Sequence, residues 1–181
     1  MATIFTHPII AVGLSPYLNF SEKRKQIIFI AAILTILPDI DVVGFRLGVP
    51  YLHLFGHRGF THSIAFAAMI SFVMTWFIVQ NSNLKFKPIW LYFFLSTVSH
   101  GILDALTNGG YGIAFFSPFS NERFFFYSQP IEVSTLSIQR FFAGQGYKVI
   151  ISELIWIWLP LTLFFMFGLL WKRRKMIKSF E

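Results

Sequence analysis

The sequence predicts an all-α integral membrane protein, a bundle of four to five transmembrane helices with an aromatic-rich outer loop. Of its 181 residues, 55% are hydrophobic and only 13% are charged, whereas soluble domains carry roughly 25% charged residues. The apolar residues form long runs separated by short basic clusters, which is the pattern of membrane spans and their loops. We therefore expect one membrane-embedded domain that comprises residues 1–181.

Four apolar segments approach the length of about 17 to 25 residues that a spanning helix requires. They are residues 26–43, 61–79, 88–106 and 154–171. A fifth segment, residues 3–20, contains His7, Pro8 and Pro16. For this segment a full span, a half-inserted helix and an interfacial helix all stay open.

The basic clusters predict the orientation of these spans. Ten of the 15 basic residues lie at 23–25, 85–87 and 172–178, and Lys and Arg beside spans are retained on the cytoplasmic side. A short loop at about 39–60 and a long one at about 107–153 then lie outside, and the C-terminus is cytoplasmic. The same distribution explains the net charge of +7 without a nucleic-acid partner. The long loop is rich in Phe and is expected in the outer headgroup region.

Ionisable residues are costly near apolar segments and usually face a functional interior. They occur here in four sequence blocks, THP (6–8), PDID (38–41), HRGFTHS (57–63) and SHGILDALTNGG (99–110). All four blocks lie toward the outer ends of the predicted spans, so their side chains can converge. The candidate metal ligands are His7, Asp39, Asp41, His57, His62, His100 and Asp104.

The spacing within the blocks is informative. His100 and Asp104 are four residues apart, so both lie on one face of a helix, about one turn apart. Asp39 and Asp41 are two apart, which would splay them on a helix. Pro38 instead predicts a break where one or both turn toward the site.

His57 and His62 are five apart, and Gly59 between them permits a turn. We expect His57 to precede the second apolar helix and His62 to lie in its first turn. A simpler interpretation stays open, in which Thr61 caps this helix and His62 only lies at the interface. Similarly, Thr6 can be a helix cap without any site.

The chain has no cysteine, so a metal would be held by imidazole and carboxylate groups. This mixture suits one or two divalent ions, zinc first, with manganese or iron as alternatives. Counted from residue 88, His100 lies about 18 Å along a helix in a core about 30 Å thick. A lipid head group would reach a site at that depth most easily.

Together, the four blocks and the Phe- and Pro-containing loop that follows resemble a bacterial inner-membrane family described as membrane-bound metal-dependent hydrolases, of which YdjM is the namesake. The resemblance covers roughly residues 6–118. It implies a hydrolase whose metal centre is formed by the seven candidate ligands. The arrangement His, Asp, His and His-x-x-x-Asp is also similar to that of zinc-dependent phospholipases C.

For such a hydrolase we expect a phosphoester of a phospholipid or another lipid-linked substrate, because bound metal activates water and polarises phosphoryl oxygens. An exposed Arg58 is expected to clamp phosphate oxygens, and Arg123 to assist from the aromatic loop. Whichever of Asp39 and Asp41 does not bind metal is expected to act as general base.

Two other functions stay open at this stage. Intramembrane His and Asp residues also mark metal or proton pathways, although no ladder of ionisable residues continues toward the cytoplasmic side. The second is a non-catalytic protein in which a metal ion only joins the helices. The remaining polar residues, expected on loop surfaces, are His53, Glu122, Glu132, Arg140 and Glu153.

Overall fold

The computed structural model describes residues 1–18, 22–80, 82–135, 139 and 141–178, and Arg140 lies outside them. The helices are, in chain order, α1 (His7–Leu14), α2 (Arg24–Ile36), α3 (Asp41–Arg46), α4 (Ile64–Val79), α5 (Phe86–Ala105), α6 (Gly146–Glu153) and α7 (Leu159–Lys178). Within the described ranges no strand forms beyond two isolated bridges. The predicted all-α class is confirmed.

Among the described residues, two helical stretches are long and apolar enough to cross a membrane. The first is Arg24–Arg46, in which a 3-10 turn at Leu37–Ile40 joins α2 to α3, and the second is Gly146–Lys175. Helix α4 is apolar but shorter, at 16 residues. Helix α5 has 20 residues, many of which are buried in the protein.

Helices α1, α2, α4 and α5 enclose the main core. Ile27, Ala31 and Leu34 of α2 are buried there, and their spacing of four and three residues places them on one face of the helix. From α5, Tyr92 donates a hydrogen bond to the carbonyl of Ala11 in α1 at 2.7 Å. This core holds the elements that carry the polar blocks in fixed positions.

The outer faces of the bundle are apolar. Phe72, Trp76 and Phe77 of α4 are exposed, as are Leu163 and Phe167 of α7. Large apolar side chains so numerous on an exterior are unusual for a soluble monomer. They match a lipid-facing surface.

Two helices differ from the predicted segments. The last one already begins at Gly146, within the predicted loop, because α6 has buried contacts of its own through Val149, Ser152 and Glu153. Helix α1 has only eight residues, or about 12 Å, so it is too short to span. Its Gly13 faces α7 so closely that a Cβ atom would lie 2.3 Å from Leu161.

Candidate metal centre

Four side chains from three parts of the chain meet at the end of the bundle. They are Asp39, His62, His100 and Asp104, and one ligand atom of each lies within 4.8 Å of the others. We call this group the four-residue cluster. Asp39 lies in the 3-10 turn after α2, His62 in a 3-10 turn before α4, and the other two on α5.

The separations between these atoms fit metal coordination. The Nε2 atoms of His62 and His100 are 3.0 Å apart, and Asp39 Oδ1 lies 3.6 and 3.3 Å from them. Asp104 Oδ2 is 3.8 and 4.0 Å from the same two nitrogens. Tetrahedral ligands at about 2.0–2.1 Å from zinc are roughly 3.4 Å apart, so the observed separations bracket that value.

Hydrogen bonds outside the cluster orient both imidazoles. His100 Nδ1 is 2.7 Å from the carbonyl oxygen of Thr35, which can only accept, so Nδ1 carries the proton. His62 Nδ1 lies 3.0 Å from a carboxylate oxygen of Asp41. In the neutral rings both Nε2 atoms therefore turn a lone pair toward the cluster, the arrangement in which histidine binds metals.

Several buried polar atoms around the cluster have no hydrogen-bond partner. They include both carboxylate oxygens of Asp39, Oδ2 of Asp104 and both ring nitrogens of His7. Buried polar atoms are nearly always paired in folded proteins. Because the unpaired atoms here are mostly acceptors that converge, a bound cation is the partner that suits them.

His7 lies directly beside the four-residue cluster. It is the first residue of α1 and fully buried, and its ring stacks on His100 with centroids 3.9 Å apart. Its Nε2 atom is 3.8 Å from Asp104 Oδ1. Thr6 makes no capping hydrogen bond through its side chain, so its role is not that of a simple helix cap.

Asp41 contacts the cluster only through the Nδ1 side of His62 and holds the loop before α4. Its Oδ1 is 2.7 Å from His57 Nδ1, and its Oδ2 accepts from the backbone N–H of Arg58 at 2.9 Å and the hydroxyl of Thr61 at 2.8 Å. With His62 Nδ1 also on Oδ2, both oxygens are occupied. The Thr61 hydroxyl thus donates to Asp41 and does not cap α4. The side chain that caps α4 is that of Ser63.

A second potential metal group shares one member with the four-residue cluster. Asp39, Asp41 and His57 also have ligand atoms within 4.8 Å of one another. A metal at this place would have to replace the short His57–Asp41 contact. All seven candidate ligands lie in one region. Asp39 belongs to both potential metal groups.

Arg58 is buried rather than exposed, with 1% of its surface accessible. Its Nε is 3.2 Å from Asp104 Oδ2, and its two terminal nitrogens donate to the Gly109 carbonyl at 2.7 Å and the Thr107 hydroxyl at 3.2 Å. The expectation of an exposed Arg58 was therefore wrong. The loop buries its guanidinium beside Asp104, whose carboxylate supplies the counter-charge.

Arg123 is also engaged within the protein. One terminal nitrogen donates to the carbonyls of His57 and Arg58 at 3.0 and 3.2 Å, and the other to that of Tyr51 at 2.9 Å. Partial burial lowers the pKa of the Arg123 guanidinium. Burial raises the pKa of the Tyr51 hydroxyl. The Tyr51 ring contacts the His57 ring edge-on. These contacts hold the loop after α3 and the loop after α5 together.

Sequence reasoning missed Glu153, which was expected on the loop surface. It is 3% exposed and accepts hydrogen bonds from the Thr3 backbone N–H, the Thr3 hydroxyl and the Thr6 hydroxyl. It thereby holds the N-terminal segment, whose Ala2 N–H donates to Asp104 Oδ1 at 3.0 Å. An acidic residue at the edge of an apolar segment was the signal that could have identified it.

A cavity of about 470 Å³ opens beside the four-residue cluster. Asp39 and Arg46 are its charged lining residues, and most of the others are apolar, including Phe5, Val42 and Phe142. Asp39 is also the most accessible member of the cluster, with 10% of its side chain exposed, whereas His62, His100 and Asp104 are completely covered. Among the described residues, this cavity therefore reaches the cluster from the Asp39 side.

Comparison with known proteins identifies the family of this chain. The family model described as "YdjM inner membrane protein" matches residues 1–175. The chain is 38% identical over 175 residues to "Inner membrane protein YbcI" of Escherichia coli (strain K12), which covers 97% of this chain and 100% of that protein. No solved structure matches. The chain therefore belongs to the YdjM inner membrane protein family.

Proposed function

We propose that this inner membrane protein is a metal-dependent hydrolase that cleaves a phosphoester of a phospholipid or another lipid-linked substrate. The observation that carries the proposal is the pair of facing Nε2 atoms of His62 and His100, 3.0 Å apart. Two nitrogens at this distance need a positive charge between them, which either a proton in an N–H···N hydrogen bond or a metal ion bound to both supplies. Both rings are held in orientation through their Nδ1 atoms, which contact the Thr35 carbonyl in His100 and the Asp41 carboxylate in His62.

The charge of the site supports a divalent ion. Asp39, Asp41 and Asp104 contribute three negative charges from side chains that are at most 10% exposed, and Arg58 contributes one positive charge. With neutral histidines the net charge of these groups is −2. Since unpaired buried charge is strongly unfavourable, one divalent cation is a suitable complement.

The ligand chemistry favours zinc, with manganese or iron as alternatives. When bound, such an ion supplies Lewis acidity toward a phosphoryl oxygen and lowers the pKa of a water. Of the two aspartates, Asp39 is the better candidate for a metal ligand, because both its oxygens lack hydrogen-bond partners and the side chain lines the cavity. Asp41 has both oxygens occupied, so we assign it a positioning role.

We further propose four spans, formed by α2 with α3, by α4, by α5, and by α6 with α7. Helix α1 is then a half-inserted helix within the bundle, because its eight residues are too few to span. In this proposal the metal centre lies on the extracytoplasmic side and the C-terminus in the cytoplasm, which the positions of the basic clusters support. The apolar outer faces of α4 and α7 support contact with lipid.

A second candidate function is a non-catalytic metal centre that joins the helices. It is favoured by Arg58, whose guanidinium is fully engaged inside the protein and does not face a phosphate. In that case metal removal would lower thermal stability, as it would for the hydrolase. Only turnover distinguishes the two functions.

The test is a hydrolysis assay on protein purified in lipid nanodiscs. Protein stripped with a chelator is reloaded with zinc, manganese or iron, and release of phosphate or head group is measured from phospholipids and lipid phosphates. We expect metal-dependent turnover that is lost in His62→Ala and kept in the matched variant His53→Ala, which alters an exposed loop histidine. Bound metal without turnover on any lipid would favour the non-catalytic alternative.

A further inference from the structure

The cavity beside Asp39 has the size and composition of a ligand site. Its volume of about 470 Å³ lies in the range of roughly 300–1,000 Å³ that is typical of small-molecule pockets. Its walls come from the N-terminal residues 1–5, from α3 with the preceding turn, and from Phe141 and Phe142 near the start of the last helix. Phe5 and Phe142 are 75% and 81% exposed, so apolar surface continues outward from it.

Arg46 supplies the cationic side chain of this cavity, and it is exposed. It is the last residue of α3, and Asp39 lies in the 3-10 turn that precedes this helix. Both residues line the cavity. In the described part of the chain, the Arg46 guanidinium makes no hydrogen bond or ion pair, unlike that of Arg58.

Taken together, these features match an anionic lipid. The apolar walls suit acyl chains, and the two charged side chains of the lining are Asp39, which belongs to the metal centre, and Arg46. A phosphate there would contact a cation on each side, with Arg46 at one edge and the metal bound by Asp39 at the other. A neutral lipid would leave the Arg46 guanidinium without a counter-charge.

We propose that this cavity binds a lipid phosphate, with its acyl chains against the apolar walls, and that Arg46 rather than Arg58 is the residue that binds the phosphate. The proposal rests on the proposed hydrolase function and names the substrate class of the same site. It also makes Arg46 a determinant of specificity for charged over neutral lipids.

The test measures lipid binding separately from turnover. Metal-loaded protein is titrated with dioleoyl phosphatidic acid, neutral dioleoylglycerol and inorganic phosphate, and bound lipid is quantified by native mass spectrometry. We expect Arg46→Gln to raise the Kd for phosphatidic acid at least tenfold, with unchanged dioleoylglycerol binding and metal content. Arg46→Lys should recover part of the loss, and Arg173→Gln, at an exposed arginine of the C-terminal helix, should behave as the wild type.

The apolar walls are tested by Val42→Phe, which narrows the cavity and should weaken both dioleoyl lipids alike. Free phosphate should bind much more weakly than phosphatidic acid, because it gains nothing from the walls. Wild-type affinity of Arg46→Gln for phosphatidic acid, or equal binding of the charged and neutral lipids, would overturn the proposal. Arg46-dependent binding without hydrolysis of any lipid would instead contradict the proposed hydrolase function alone.

Discussion

His62 and His100 are 38 residues apart in sequence, and their Nε2 atoms face each other at 3.0 Å. The Nδ1 atom of each ring makes the contact that orients it, with the Thr35 carbonyl for His100 and with the Asp41 carboxylate for His62. The contact depends on α5 packing against both α2 and the turn before α4. It predicts that metal binding depends on tertiary structure and on these two nitrogens together.

The first prediction concerns metal content. His100→Ala combined with Asp104→Ala removes two of the four converging ligands and should abolish bound transition metal, measured by plasma mass spectrometry on purified protein. The control is His53→Ala combined with Glu122→Ala, two exposed loop positions. Unchanged metal content in the first double variant would rule out the four-residue cluster as the site.

The second prediction separates Asp41 from Asp39. Asp41→Ala leaves the His57 ring, the Arg58 N–H and the Thr61 hydroxyl without their acceptor and should cost about 2–4 kcal/mol of stability. Asp39→Asn removes a charge that has no hydrogen-bond partner. It should leave the Tm of metal-free protein unchanged or higher.

Thermal unfolding of both variants after chelation is the measurement. If Asp39→Asn lowered the Tm as much as Asp41→Ala, the assignment of Asp41 as the positioning residue would be wrong. Metal titration of the same samples should show a different effect at Asp39. Asp39→Asn should weaken metal binding although the protein stays stable.

The third prediction is that Arg58 stabilises the fold. Arg58→Met leaves the buried Asp104 without its ion pair at 3.2 Å and should cost about 3–5 kcal/mol. Adding Asp104→Asn removes the second charge, so the double variant should unfold at a higher temperature than Arg58→Met alone. A wild-type Tm for Arg58→Met, with loss of phosphatidic acid binding, would restore the phosphate clamp that the sequence suggested.

The fourth prediction concerns Glu153. Glu153→Gln places an amide that donates where three donors of Thr3 and Thr6 now converge. We expect faster amide hydrogen exchange in residues 2–6, measured by mass spectrometry. Glu132→Gln, at an exposed glutamate of the long loop, is the matched control and should leave that exchange unchanged.

The fifth prediction tests the orientation of the spans, and the absence of native cysteine makes it straightforward. Leu47→Cys, just after α3 at a position that is 82% exposed, should react with an impermeant maleimide in intact cells. Lys175→Cys in the C-terminal helix should react only after permeabilisation. The reverse pattern would invert the topology.

Much of the fold was predictable because it depends on local properties of the chain. Apolar runs of spanning length and the basic clusters beside them indicate helices in a membrane. The spacing of four between His100 and Asp104 places both on one helical face in any context. The prediction that the polar blocks converge at one end also followed from the order of the segments.

The roles within the site were decided by contacts between distant residues. Whether Asp39 or Asp41 faces the cluster depends on the turn at Leu37–Ile40 and on the loop that binds Asp41. Arg58 could be identified as buried only once α5 had brought Asp104 beneath it.

The sequence by itself therefore determined the helical membrane class and the set of candidate ligands, because helix periodicity and apolar length are local. Only the tertiary structure decided which residues converge as ligands, which hold them in place, and that Arg46 lines the access cavity while Arg58 does not. Glu153 lies 150 residues from Thr3, and no local pattern encodes a contact at such separation. Burial and hydrogen-bond partners are properties of the packed bundle.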